Sequence, residues 1–249
     1  MDLHISGKTA IISAASKGLG NACAMALAME GVNVVINGRS EDTLGAAAEE
    51  IRRAAPDVSV KTVVGTVTDP DCRAAMIDAA EGAPDILVNN AGGPPPGDFR
   101  DWDRDTWISA IDTNMLSAIE LVRMTVDGMM DRGFGRIVCI TSSAVRVPIP
   151  VIGLSNATRA GLTNFLFGLA TQVSSKGVTI NCLLPGPFDT SRLRDSKPIT
   201  QHLTSNPVAG RVGDPAELGA MCAYLCSTQA GYITAQNILM SGGLYPGSF

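Results

Sequence analysis

The chain has no basic run longer than a pair such as Arg52 and Arg53, and its 249 residues carry a formal net charge of -5. Polyanions are recognised through clustered lysine and arginine, so no nucleic-acid partner is expected of a chain with a pI near 5.0. It also lacks any segment approaching the roughly 20 apolar residues of a membrane span. The opening MDLHISGKTAIISAASKG carries Asp2 and His4 and only a short uncharged run at 9–13, without the charged start and apolar middle of a secretory leader. No membrane partner and a cytoplasmic location follow as expectations. Cys-x-x-Cys pairs are absent too: Cys23, Cys72, Cys139, Cys182, Cys222 and Cys226 are scattered, which points to buried free thiols in a reducing compartment and to no metal site. Finally, the three tyrosines, Tyr224, Tyr232 and Tyr245, are all far along the chain.

What is present is a repeating alternation. With 45% hydrophobic residues and a mean hydropathy of +0.19, the chain can bury one large core, and a single domain over 1–249 is expected. Apolar runs at 9–13, 32–36, 58–64, 85–89, 136–141, 178–184 and 236–240 read as seven strands. Helical patterns at 19–30, 41–54, 71–81, 105–130, 155–174 and 215–227 separate them. Continuous valine and isoleucine runs interleaved with helices predict a parallel sheet covered on both faces, a Rossmann-type doubly wound α/β domain. GGPPPG at 92–97 is a stiff turn after the fourth strand. The segment 188–207 has no long apolar run and lies beyond a strand's C-terminal end, the side on which such sheets bind ligands, so it is expected to be a substrate lid.

The first turn reads SAASKGLG. Gly18 and Gly20 open a helix directly after a strand, so free backbone N–H groups and the helix dipole can face a pyrophosphate, and small residues let the backbone approach it.

Taken with NNAG at 89–92, Asn114, Ser142 and LLPGPFDT at 183–190, the chain resembles the classical short-chain dehydrogenase/reductase family over nearly its whole length. GRVGDPAELGAMCAYLCS and GYITAQNILMSGG continue the resemblance near the end. It implies cofactor contacts at Ser13, Ala14, Ser16, Lys17, Gly18, Leu19 and Gly20, at Arg39, at Asn90, Ala91 and Gly92, and at Pro185, Gly186 and Thr190, the last three on the nicotinamide side. Asn89 is implied to hold the central strand and shape the pocket. Two departures stand out: Ala14 replaces the family's first turn glycine, and Thr66 stands where an aspartate usually follows the third strand. Alanine is tolerated there where its φ stays negative, so weakened rather than abolished binding is expected.

The second strand ends INGRS, with no acid at Ile36, Asn37 or Gly38 to hold a ribose 2'-hydroxyl. Lys17 and Arg39 instead suit a 2'-phosphate, so NADP is expected over NAD. The alternative is that both are ordinary surface cations.

The family's proton chemistry is changed. The resemblance implies a tyrosine proton donor, a lysine four residues on that lowers its pKa, a serine 13 residues earlier that orients the carbonyl, and an asparagine that holds a water relay. This chain has Ser142 and Asn114, but Ser155 and Arg159 occupy the tyrosine and lysine positions within GLSNATRAGL. Positions 155 and 159 still share one helix face. A serine alcohol is far less acidic than tyrosine, and arginine serves as a fixed charge rather than a titrating relay. Such Ser and Arg pairs resemble a divergent branch likened to 3-oxoacyl carrier-protein reductases.

Three explanations stay open: Arg159 and Ser142 stabilise the alkoxide while Ser155 or a bound water passes the proton; His202 in the lid donates instead; or the scaffold is a catalytically silent or non-redox nucleotide-binding protein. The substrate expected is a small carbonyl or alcohol. Arg192, Arg194 and Lys197 in the lid suit either an anionic substrate or plain solvation. A homotetramer or homodimer is implied by the resemblance, with Ile108, Ile111, Met115, Ile119 and Val122 as one apolar stripe, which a core-facing helix would equally show.

Overall fold

All strands run in one direction, because helices between successive strands return the chain to the same edge. The computed structural model describes residues 1–82, 84–195 and 208–246. The strands are β1 (Thr9–Ile12), β2 (Asn33–Gly38), β3 (Val60–Val64), β4 (Ile86–Asn89), β5 (Gly135–Ile140), β6 (Val178–Pro185) and β7 (Gln236–Met240). They form one sheet in the order β3-β2-β1-β4-β5-β6-β7, every pairing parallel. The order reverses between β1 and β4, and the C-terminal ends of the strands diverge there into a crevice.

Period-two alternation divides the core. Ala10 and Ile12 of β1 join Val34 and Ile36 on one face, under α1 (Gly18–Met29), α2 (Glu41–Ala54) and the later Pro215–Cys226 helix. Ile11 and Val35 face the other way, beneath α3 (Pro70–Ala79), α5 (Ser117–Asp131) and α6 (Gly153–Val173). Between α3 and α5 lies α4 (Arg104–Ile111), and after β6 the short α7 (Ser191–Asp195); Pro215–Cys226 is then α8. Local chemistry sets the helix starts. Ser40 accepts from the Thr43 N–H ahead of Glu41 and Asp42, and Arg52 and Arg53 close the last turn of α2, each with its charge matched to the helix dipole. Asp214 and Glu217 form a reciprocal capping box around Pro215.

The six cysteines are all free and buried, in strands and helices of the core. No helix among the described residues is long and apolar enough to cross a membrane, and no group of histidine, cysteine and acidic residues among them could hold a metal.

The helical pattern at 105–130 is not one continuous α-helix. Between α4 and α5 lies a π-turn, Asp112–Leu116. Its cause is local: the Ser117 hydroxyl donates to the Thr113 carbonyl at 2.8 Å, and the Ser117 N–H reaches past it to the Asp112 carbonyl. The apolar stripe also divides: Val122 is buried and Met115 and Ile119 pack on the core, while Ile108 is 48% exposed. The front of the expected lid is ordered into α7 by Leu193, which packs with Ala144, Ile149 and Ile152. Lys197, His202 and the rest of that segment, 196–207, lie outside the described residues.

Candidate active site

The crevice at the strand reversal opens into a cavity of about 900 Å³, within the range of pockets that enclose a cofactor and a small substrate. It runs from the β1–α1 turn, past the ends of β4 and β5, to α6 and the segment after β6.

At one end, Ser16, Lys17, Gly18 and Leu19 line the wall, facing Gly38, Arg39 and Thr66 across the end of β2. Lys17 and Arg39 are exposed and make no ion pair among the described residues. Asn37, at the end of β2 where an acid would hold a ribose 2'-hydroxyl, points inward: its amide donates to the Val63 and Gly65 carbonyls, and its Oδ1 accepts from the Ala14 N–H at 3.4 Å. Ala14 itself has φ +47, against the expectation of a negative φ. The left-handed conformation is imposed by its surroundings, since Asn37 holds its N–H and Asn90 Nδ2 donates to its carbonyl at 3.0 Å. Gly20 makes this possible: a Cβ there would lie 2.6 Å from the Ala14 oxygen and 2.7 Å from Asn90 Nδ2.

Gly20 and Ser13 do not line the cavity. Ser13 is buried, with its hydroxyl donating to the Asn90 carbonyl at 2.7 Å and accepting the Asn90 N–H, so it ties β1 to β4. Asn89 does not line it either; its amide donates toward Ala118 O and Cys139 Sγ behind the strand. Asn90, Ala91, Gly92, Pro185, Gly186 and Thr190 all do. A Cβ on Gly92 would meet nothing within 4 Å, and one on Gly18 only the Thr190 side chain at 3.6 Å. The walls here are bare backbone beside unpaired cations, a surface suited to a phosphate-bearing ligand.

At the other end, α6 presents Ser155 and Arg159 one turn apart. Arg159 is 8% exposed, and its donors are fully used. Nε donates to Ser155 Oγ at 3.1 Å; Nη1 to the Ile140 and Thr141 carbonyls at 2.8 and 3.0 Å; Nη2 to the Ala91 carbonyl and Asn114 Oδ1, both at 3.2 Å. A guanidinium has five N–H donors in a planar fork, and here β4, β5, α6 and the π-turn supply five acceptors. None is a carboxylate. Burial, with a smaller contribution from the Arg192 charge, pushes the Arg159 pKa down to about 10, so the group is cationic at neutral pH.

Asn114 spends its amide on this cation and on the Ala110 carbonyl. The π-turn sets its direction. Ser142, at the end of β5, accepts the Ala144 N–H at 3.1 Å and caps a short 3-10 turn. The two serines therefore share one arrangement: each hydroxyl oxygen accepts from a protein donor, and each hydroxyl proton has no protein acceptor among the described residues. Both line the cavity, which has no tyrosine or histidine among its described lining residues. Asn114, Ser142, Ser155 and Arg159 are thus brought together. The backbone acceptors at Ala91, Ile140 and Thr141 are further contributors with no signature in side-chain identity; the Asn37 brace is another, made by a side chain.

Comparison with known proteins agrees in extent. The family profile described as Enoyl-(Acyl carrier protein) reductase matches residues 13–245. The 3-oxoacyl-[acyl-carrier-protein] reductase FabG of Vibrio cholerae is 32% identical, over 98% of this chain and 99% of that protein. Gluconate 5-dehydrogenase of Gluconobacter oxydans is 32% identical over 96% and 95%. Among solved structures, L-sorbose reductase of Gluconobacter frateurii, complexed with NADPH and L-sorbose, superposes with a TM-score of 0.90 at 30% identity, covering 99% of this chain and 100% of that one.

Proposed function

The chain belongs to the short-chain dehydrogenase/reductase family, and from that premise we propose that it transfers a hydride between NADP(H) and a small carbonyl or alcohol substrate, using a serine and an arginine where the family uses tyrosine and lysine. The carrying observation is Ser155, which lines the cavity, whose oxygen is held by the buried Arg159 cation and whose hydroxyl proton has no protein acceptor among the described residues.

The nicotinamide cofactor, when bound, supplies or accepts the hydride. Residues that would hold it are the Ser16–Leu19 turn, Asn90, Ala91 and Gly92, and Pro185, Gly186 and Thr190, with Lys17 and Arg39 toward a 2'-phosphate. In reduction, the carbonyl π pair moves to oxygen, and Ser142 and Ser155 can each donate a hydrogen bond to that oxygen as charge develops. Arg159 strengthens the Ser155 donor by withdrawing electron density through its oxygen, and its own field stabilises the alkoxide. With no tyrosine or histidine among the described lining residues, the proton comes from water by way of Ser155. The absent general acid removes a factor of about 10² to 10⁴ in rate, so slow turnover belongs to this reading.

One observation favours a second reading, a catalytically silent nucleotide-binding protein: every Arg159 donor and the Asn114 amide are spent within the protein. Fluorescence titration with NADPH and with NADH, followed by a carbonyl panel, separates the two. Selective NADPH binding with turnover supports the enzyme, binding without any turnover supports the silent scaffold, and no binding of either cofactor overturns both. A cytoplasmic homodimer or homotetramer completes the proposal. Exposed Ile108, Leu116, Met124 and Phe165 on α4, the π-turn, α5 and α6 are its support, and light scattering on the eluting protein its check.

A further inference from the structure

Two arginines on the expected lid differ in how their charge is met. Arg194 is ion-paired with Asp189. Arg192 has no carboxylate partner among the described residues, lines the cavity, and reaches across it to the opposite wall. There Nη1 donates to the Gly93 carbonyl at 2.8 Å and Nη2 to the Pro94 carbonyl at 2.9 Å. The crossing depends on Gly93, where a Cβ would sit 2.5 Å from Nη2. Arg192 is solvent-accessible as the wall of an open cleft, yet enough protein surrounds it that desolvation lowers its pKa.

Neutral carbonyls satisfy a guanidinium's donors but leave its charge uncompensated. The same holds for Arg159, and each of the two cations is anchored on one short stretch of backbone, Arg159 on Ala91 and Arg192 on Gly93. Two residues of chain span at most about 7 Å. Arg192 therefore stands beside the Ser155–Arg159 end of the cavity, while Lys17 and Arg39 occupy the far end near β2. The two cations feel one another, since the Arg192 charge contributes to lowering the Arg159 pKa. An anion bound between them would relieve both.

We propose that Arg192 is a specificity-determining residue that binds a substrate carboxylate, so that the preferred substrates are short oxo acids, or the matching hydroxy acids, with the carboxylate a few bonds from the reacting carbon. This rests on the hydride-transfer reading of the same site. A carboxylate takes both Nη donors in a bidentate pair, replacing Gly93 and Pro94, and the reacting carbonyl is then directed toward Ser142 and Ser155. The other anion within reach of this chemistry is a cofactor phosphate, and the test separates the sources.

Pyruvate, acetoacetate and levulinate are compared with neutral methyl ketones of equal length in wild type, Arg192→Gln and Arg192→Lys. Circular dichroism and thermal unfolding establish that the variants fold, and NADPH affinity is measured in parallel. The expected result is that Arg192→Gln lowers kcat/KM for the acids on the order of 10- to 100-fold, chiefly through KM, and by at least tenfold more than for the ketones. Arg192→Lys should recover part of the loss. Equal losses on acids and ketones overturn the proposal, as does a loss confined to NADPH affinity, which would assign the charge to a cofactor phosphate. Calorimetric titration of pyruvate and acetoacetate into the protein with NADP+ present keeps the test independent of turnover. Carboxylate binding that Arg192→Gln abolishes sustains the proposal even if no carbonyl is reduced. Absence of such binding in the wild type overturns it.

Discussion

Arg159 Nε donates to Ser155 Oγ at 3.1 Å across one turn of α6, and the remaining four donors of the same guanidinium end on Ala91, Asn114, Ile140 and Thr141. The pair is thus one end of a brace joining β4, β5, α6 and the π-turn. It holds the site together and polarises a hydroxyl in it.

Replacing the pair by the family's usual residues, Ser155→Tyr with Arg159→Lys, should therefore harm the protein. Lysine brings three donors for the four acceptors that remain once the Ser155 hydroxyl is gone, and a buried acceptor left unmet costs about 1–3 kcal/mol. A loss of about 1–3 kcal/mol is expected, read as a melting temperature lowered by a few degrees, without a gain in turnover. Full stability with a large gain in turnover would show that the brace is dispensable.

The pH profile should carry the Arg159 signature. Its folded pKa, about 10, lies below its ordinary value, so the folded state sheds this proton before the unfolded state does. The burial penalty is constant below about 10 and is relieved above it, so this group's contribution to stability rises with pH there. Activity should move the opposite way, because the uncharged group no longer polarises Ser155. The rate of reduction is expected to fall with an apparent pKa near 10, and that limb should be missing in Arg159→Gln.

Ala14→Gly should stabilise. A left-handed alanine costs roughly 1–2 kcal/mol, and part of the gain returns as the greater unfolded-state entropy of glycine. A net gain of up to about 1 kcal/mol, or a few degrees in melting temperature, is expected by calorimetry, with NADPH affinity equal to or tighter than in wild type.

Arg39→Ala and Lys17→Ala should each weaken NADPH binding by about tenfold or more, the scale of one charge-assisted contact, and leave NADH binding nearly unchanged. Equal effects on both cofactors would make these residues general surface cations.

The strand and helix series was readable because valine and isoleucine runs at 9–13 and 136–141 need burial on both faces, and because α2 carries its own cap and dipole-matched charges at Ser40, Glu41 and Arg53. The site was readable only as side chains. Ser142, Ser155 and Arg159 were associated through the family resemblance, whereas the acceptors that determine what Arg159 does are main-chain oxygens carrying no residue code. Asp112 to Leu116 reads as ordinary helix until the Ser117 hydroxyl takes the Thr113 carbonyl. The sign of φ at Ala14 is likewise set from a distance, by Asn37 and Asn90, and no property of alanine announces it.

The burial of all six thiols makes the folded protein a poor target for thiol reagents, so cysteine labelling reports opening rather than surface chemistry. Cys72 lies near the β2–β3 edge, while Cys222 and Cys226 sit on the buried face of α8, which packs against α1. The order in which these positions become alkylated would trace which side of the sheet comes apart first, without introducing a probe.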